Sequence, residues 1–309
     1  MLVLALTVTS MIGMLVVIVA AGLIAQKMTF RLRTVRNTRL EELYQQKLDP
    51  ILLEDLPSGS HDPDSLAYRQ SVKQRCEPLR LELANVSSFS RQAHRAALRR
   101  VMLNMSRELV GETLARLTLA FQVFGFVDEE LRDLARTRWW IRARACRDLA
   151  LMKAGDATAD LVILLQDDEE DVRTEAAMAL VSIAGVKALS PLLTNLHTIS
   201  VWMSIQLSKA VLSMASAAVP DLIAGLQSDY PSVKSFCIDM LGEIGDIAAC
   251  APLIEFAKTA RGEQLCKCLL AIGNLGDETG REVLLEHLSN TDEVVRVCAA
   301  QGLGHLGSK

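Results

Sequence analysis

Hydrophobic positions over the last 170 residues recur with a period of about 31. With Ile141, Val172, Met203, Val233, Gln264 and Val295 as anchors, the column eight residues on reads Leu149, Leu180, Val211, Leu241, Ile272 and Leu303. The column eleven on reads Met152, Ile183, Met214, Ile244, Leu275 and Leu306. Between the anchored segments a second column runs through Leu161, Leu192, Leu222, Leu253 and Leu284. Four residues later come Leu165, Leu196, Leu226, Ala257 and Leu288, and Leu134 precedes that column by one unit. Steps of four, eight and eleven share one face of a 3.6-residue helix. Each unit therefore predicts two short antiparallel helices. Neither can bury its apolar face alone, so neighbouring units must stack. Six pairs are expected between residues 127 and 307. Gly155, Ala184, Ala215, Gly245, Gly276 and Gly307 should close the anchored helices, and Pro191, Pro220 and Pro252 should open the intervening ones.

The N-terminus shows no such alternation. Residues 2–25 carry no charge, and these 24 positions exceed the roughly 20 that a membrane-spanning helix needs. Lys27, Arg31, Arg33, Arg36 and Arg39 follow, with no acid before Glu41. A secretory signal carries its positive charge ahead of the apolar run, the reverse of this order. Basic flanks stay cytoplasmic, which predicts a single-pass cell (inner) membrane protein with its N-terminus outside and its C-terminal domain in the cytoplasm. Alanine-rich Ile18–Ala25 also fits a cleavage site. Residues 26–64 read as a helical stalk, with Leu40, Leu43, Tyr44, Leu48, Ile51 and Leu52 in helical spacing, an interruption at Pro50, and a linker at Pro57–Pro63. Residues 65–126 read as a helical connecting region broken near Pro78 and Asn85–Ser90. It includes one long amphipathic run, Gln92–Phe124, with Arg91, Arg95, Arg99 and Arg100 on its polar side.

Composition agrees with an all-α chain: aromatics are only 4% and Leu, Ala and Val abound. Charge divides along the sequence. Residues 26–150 hold 22 Lys/Arg against 16 Asp/Glu, a net +6, while residues 151–309 hold 11 against 21, a net −10. The basic part thus lies next to the anionic leaflet and the acidic part away from it.

Catalytic and metal chemistry find little support. Seven scattered cysteines imply no disulfide framework. Cys266 and Cys268 sit about 200° apart on a helix, and Cys146, Cys237 and Cys268 occupy positions that other units fill with alanine. His61, His94, His197, His287 and His305 lack ligand spacing, and no phosphate-binding loop, nucleophile elbow or zinc motif occurs. The acidic run Asp167–Asp171 lacks the turn glycine of a calcium loop and suits a helix N-terminus instead. No enzyme activity, cofactor or metal is expected. The basic residue after each anchor (Arg142, Arg173, Lys234, Arg296) predicts an ion-pair ladder to acids such as Asp229 and Asp292. Arg136, Arg138, Trp139, Trp140, Arg142, Arg144 and Arg147 form the one patch that could stack nucleic-acid bases. The tryptophans are expected instead to cap the core where the array begins, and no nucleic-acid partner is expected.

The runs Asp171-Val172-Arg173-Thr174-Glu175-Ala176-Ala177-Met178-Ala179-Leu180, Val233-Lys234 through Leu241-Gly242-Glu243-Ile244-Gly245-Asp246, and Val295-Arg296 through Leu303-Gly304 resemble HEAT repeats. In particular they resemble the short variety also found in phycobilisome-lyase-type proteins. The units at Met203 and Gln264 depart from the pattern, with Ser204 and Leu265 where a basic residue is usual. The resemblance implies a right-handed α-solenoid whose inner, concave wall binds a protein. It also implies a likeness to bacterial membrane-anchored HEAT proteins, some of which accompany polysaccharide-synthesis glycosyltransferases. A lyase handling a tetrapyrrole and a nucleic-acid-binding array are the alternative readings. Offsets of three, six and ten from each anchor lie opposite the buried stripe and are assigned to the concave wall. They give Arg144, Arg147 and Leu151; Glu175, Met178 and Ser182; Gln206, Lys209 and Ser213; Phe236, Asp239 and Glu243; Lys267, Leu270 and Asn274; and Cys298, Gln301 and His305. Met178, Phe236 and Leu270 are expected to be exposed apolar contacts. With no polar capping unit beyond Val294, Val295 and Val297, the C-terminal helix pair is expected to meet a partner or a second copy.

Overall fold

The computed structural model describes residues 2–53 and 65–307, with the side chains of residues 2–33 only in part. It holds no strand among the described residues. Two compact units divide the chain, residues 1–126 and 127–309.

The first unit comprises α1 (Leu2–Leu53), α2 (Leu66–Asn85), α3 (Ser88–Met105) and α4 (Gly111–Val123). The 52 residues of α1 span about 78 Å. Lys27, Arg31, Arg36 and Arg39 are exposed along it, whereas the Arg33 side chain and the Pro57–Pro63 linker lie outside the described residues. Tyr44, Leu48, Ile51 and Leu52 form the buried stripe of α1, and Leu43 stays exposed. Neither proline breaks its helix: α1 runs through Pro50 and α2 through Pro78. Both prolines face solvent, where water can take up the backbone carbonyl four residues earlier that each leaves unpaired. The break at Asn85–Ser90 is present, at Val86 and Ser87. The expected single run over Gln92–Phe124 is instead two helices, because Gly111 turns the chain with φ +62°. Buried Arg116 ties α4 to the end of α1, donating to the Leu52 carbonyl at 3.0 Å and to Glu112 at 2.6 Å.

In the second unit short and long helices alternate. The short ones are α5 (Phe126–Leu134), α7 (Thr158–Leu164), α9 (Leu189–Asn195), α11 (Val219–Gly225), α13 (Cys250–Thr259) and α15 (Arg281–His287). The long ones are α6 (Trp139–Leu151), α8 (Glu170–Ala184), α10 (Val201–Met214), α12 (Pro231–Ile244), α14 (Gly262–Leu275) and α16 (Glu293–Gly307). Pro191, Pro220 and Pro252 fall in the first turn of their short helices, as expected. Most periodic positions are buried. Leu265 takes the place of Gln264 in the core, Leu288 is exposed, and Ile141, Ile183, Met214, Ile244 and Leu303 are half-buried. At the end of α6, Lys153 adopts φ +49° in place of the expected Gly155. Glu170–Asn195 and Val201–Gly225 are apolar and long enough to cross a membrane by composition. Each is nonetheless two helices meeting at a 3-10 turn, where Gly185 (φ +57°) or Ala215 (φ +50°) redirects the chain.

Small residues set how closely the long helices approach. A methyl on Gly242 of α12 would meet Ala271 of α14 at 2.9 Å, and one on Gly273 of α14 would overlap the backbone of Gly302 in α16. Counted from the anchors, the ninth position of one long helix meets the seventh of the next. The same register pairs Ala150 with Ala179, but Val181 with Ala210 and Leu212 with Met240. Helix separation follows the side chains at the contact. Contact is accordingly dense for α6–α8, α12–α14 and α14–α16, and sparse on both sides of α10.

Candidate functional site: a groove beside α10

A groove lies between α10 and α12, where the helices touch sparsely. By the repeat register Leu212 falls opposite Met240 there, and Leu207 stands where the other units carry Ala145, Ala176, Cys237, Cys268 or Ala299. The larger end, about 680 Å³, is lined by Ile199, Val201, Ser204 and Ile205 on one side and by Pro231, Ser235, Phe236 and Asp239 on the other. Arg261, Glu263, Gln264 and Lys267 complete its wall. A second depression of about 400 Å³ shares Ser204, Ile205, Asp239 and Lys267 and continues to Glu243, Leu270 and Asn274. Two local bonds fix the rim: the Ser232 hydroxyl accepts from the Ile199 amide at 3.0 Å, and the Gln264 amide donates to the Pro231 carbonyl at 3.2 Å.

α10 is the least buried of the long helices for its composition. Only Met203, Leu207 and Val211 are buried, against eight residues of α14. Val201, Trp202 and Ile205 are 79%, 55% and 53% exposed. Large apolar side chains clustered in solvent mark interaction surfaces.

The groove gathers Asp239, Glu243, Lys267, Leu270 and Asn274 from the residues assigned to the inner wall. Phe236 is there too, but only 3% exposed, so it is part of the floor and not a free contact. Met178 and Leu270 are half-buried, and Cys298 is buried. Much of the remaining wall is engaged in pairing between successive helices. Arg147 reaches Glu175 at 3.2 Å, Lys267 reaches Asp239 at 2.6 Å, and Asn274 bonds His305 Nδ1 at 2.6 Å. Arg144 is held by Asp133 at 2.6 Å, with Glu130 and Asp148 just beyond. Burial pushes the Glu175 carboxyl up, and Arg147 partly offsets this. Across these helices the sixth position pairs with the third of the next. At α10–α12 that register sets Lys209 against Phe236, leaving its ammonium without a partner among the described residues. Gln206 is half-buried on the same helix, and Gln301 is exposed on α16.

The expected ion-pair ladder takes a different form. Only Arg142 makes the inter-unit pair, bidentate to Asp167 at 2.7 Å. Arg173 and Arg296 instead donate to the carbonyls of residues 167 and 168 and of residues 290 and 291, clamping the loop before their own helices. Asp292 caps α16, accepting from the Val294 amide at 2.9 Å. Trp139 and Trp140 do not cap the core: they stand edge to face in solvent, with Arg138 over the Trp140 ring. All seven cysteines are free and buried, and burial lifts the Cys146, Cys237 and Cys268 thiols to about 12. Among the described residues no three His, Cys, Asp or Glu side chains group as metal ligands.

Sequence reasoning missed Ile199, Ser204, Ile205, Pro231, Arg261 and Glu263. The sequence signal that coincides with them is the pair Leu212 and Met240, the bulkiest at these register positions.

Residues 129–203, from α5 to the start of α10, match the family model for HEAT repeats. These residues are HEAT repeats. No curated protein matches the chain. Among solved structures, human deoxyhypusine hydroxylase in complex with glycerol is 16% identical, covering 77% of this chain and 97% of its own, with a TM-score of 0.31. Two engineered proteins are 19% and 20% identical, with TM-scores of 0.28 and 0.34; the alignments cover 75% and 87% of this chain and 96% and 78% of theirs. Those TM-scores are too low to carry any property to this chain.

Proposed function

We propose that this chain is a membrane-tethered, cytoplasmic, non-enzymatic scaffold. It docks a protein partner in the groove beside α10. HEAT repeats as a class suggest protein interaction, and the groove supports that reading. The observation that carries the reading is the contrast within one array. The apolar helix α10 buries three residues and leaves Val201, Trp202 and Ile205 in solvent, while α14 buries eight. Soluble surfaces rarely expose such clusters without a partner. In this proposal the stack extends beyond residues 129–203 over residues 127–309 as a right-handed solenoid of six helix pairs, and residues 2–25 form its membrane anchor.

The test is site-specific photocrosslinking of the full chain in its native cells. A photoreactive residue at Ile205 should give a discrete protein adduct in the membrane fraction. The same residue at Glu286, an exposed site on α15, should not. Absence of an adduct at Ile205, or equal adducts at both sites, overturns the docking reading.

A further inference from the structure

The charges around the groove narrow the partner's chemistry. Asp239 and Lys267 satisfy each other at 2.6 Å across the floor. Arg261 folds onto its own loop, donating to the carbonyls of Lys258 and Ala260. Among the described residues, two exposed carboxylates then remain in the lining with no hydrogen bond or ion pair: Glu263, which opens α14, and Glu243, which closes α12. The Gly242–Ala271 contact fixes the register of the two helices. In that register Glu243 stands level with Ile272, eight or nine residues beyond Glu263, or about 13 Å along the axis. Ile205 borders both depressions, with Val201 exposed one turn before it. The field of the region reinforces the local pattern, since residues 151–309 carry a net charge of −10. Among the described residues there is no sheet edge for strand addition; two carboxylates about 13 Å apart flanking apolar Ile205 match the spacing of side chains along one face of a helix.

Resting on the docking reading above, we propose that the groove takes a basic amphipathic helix of a partner protein. Two of its Lys or Arg residues, seven or eight positions apart, meet Glu263 and Glu243. Apolar residues three and four positions along pack against Val201 and Ile205. This spacing keeps all four anchors on one helical face.

The test uses the full chain in a neutral detergent and a fluorescein-labelled, alanine-based model helix read by anisotropy. The helix carries Lys at positions 4 and 11 and Leu at 7 and 8; a second peptide has Glu in place of both Lys. The Lys peptide should bind, and Glu243→Lys with Glu263→Lys should weaken it by about ten-fold or more, with circular dichroism unchanged. The same double variant should gain affinity for the Glu peptide. Equal binding of the Lys peptide to both proteins, or no binding of it to the wild type, overturns the proposal. Preference of the wild type for the Glu peptide overturns the basic-helix proposal too. If Ile205→Ser abolishes that preference, the docking reading survives. A missing crosslink at Ile205 would remove the docking reading itself, which keeps the two failures apart.

Discussion

α14 and α10 occupy equivalent places in successive repeats, and their difference shows how a stacked array makes room for a partner. In α14, Gly273 meets the backbone of Gly302 and Ala271 meets Gly242, so the helix is gripped on both sides and buries eight residues. In α10, Leu212 and Ala210 stand at the matching positions, opposite Met240 and Val181, and three residues carry the burial. Packing one helix tighter needs glycine; spreading it needs only one leucine at the contact. The groove thus coincides with larger side chains at two register positions, Leu212 and Met240.

The largest expected effect tests how α10 is held. Leu207→Ala should cost about 3–4 kcal/mol, the usual range for a buried leucine truncation. Because Leu207 is one of three anchors, the loss should appear as faster amide exchange across α10 before the rest of the array opens. Leu269→Ala in α14, equally buried, should instead lower the global melting temperature and leave exchange across α14 tied to global unfolding. Identical exchange patterns for the two variants would show that α10 is no looser than its neighbour.

Next comes the tight side. Gly273→Ala places a methyl against the Gly302 backbone, which no rotamer change can relieve, so α14 and α16 must separate. Overpacking of this kind costs about 2 kcal/mol, even though alanine is the better helix former. A thermal melt at or above the wild-type midpoint would refute the close approach.

The repeat was legible because burial repeats: columns at fixed offsets in the sequence became the core at almost every unit. Its exceptions are local. Gln264 can reach the Pro231 carbonyl from the rim, so Leu265 takes the core position one residue later. The groove was half legible. Asp239, Glu243, Lys267, Leu270 and Asn274 line it as the helical wheel placed them on one face. A wheel, however, shows which side a residue faces and not how far away the next helix lies. Phe236 therefore came out as floor, and Ile205 was missed. In the first unit, Pro50 and Pro78 were read as breaks because proline removes a donor, but on a solvent face that loss is tolerable. Gly111 ends a periodic run that hydrophobicity alone would continue.

A smaller effect sits at the end of α10. Ala215 holds φ +50° and ψ −138°, a conformation suited to glycine, where α8 uses Gly185 at φ +57°. Such residues carry strain of about 1–3 kcal/mol, and Ala215→Gly also loosens the unfolded chain. The net gain should be about 1 kcal/mol, read as a raised melting temperature; the corresponding Gly185→Ala should lower it. No change in either variant would mean that neither turn is strained.

The smallest effect on stability is the most telling for function. Ile205 is 53% exposed and borders both depressions without belonging to the buried stripe of α10. Ile205→Ser should therefore shift stability by no more than about 0.5 kcal/mol, as surface substitutions do. An apolar side chain kept in solvent for its partner contributes to the complex and little to the fold, so the same variant should lose the crosslinked adduct, with the photoreactive residue moved to Ser235. Chemical denaturation and crosslinking yield on one preparation separate the two quantities. If Ile205→Ser instead destabilises the chain like Leu207→Ala, then Ile205 belongs to the core, and α10 is as well packed as α14.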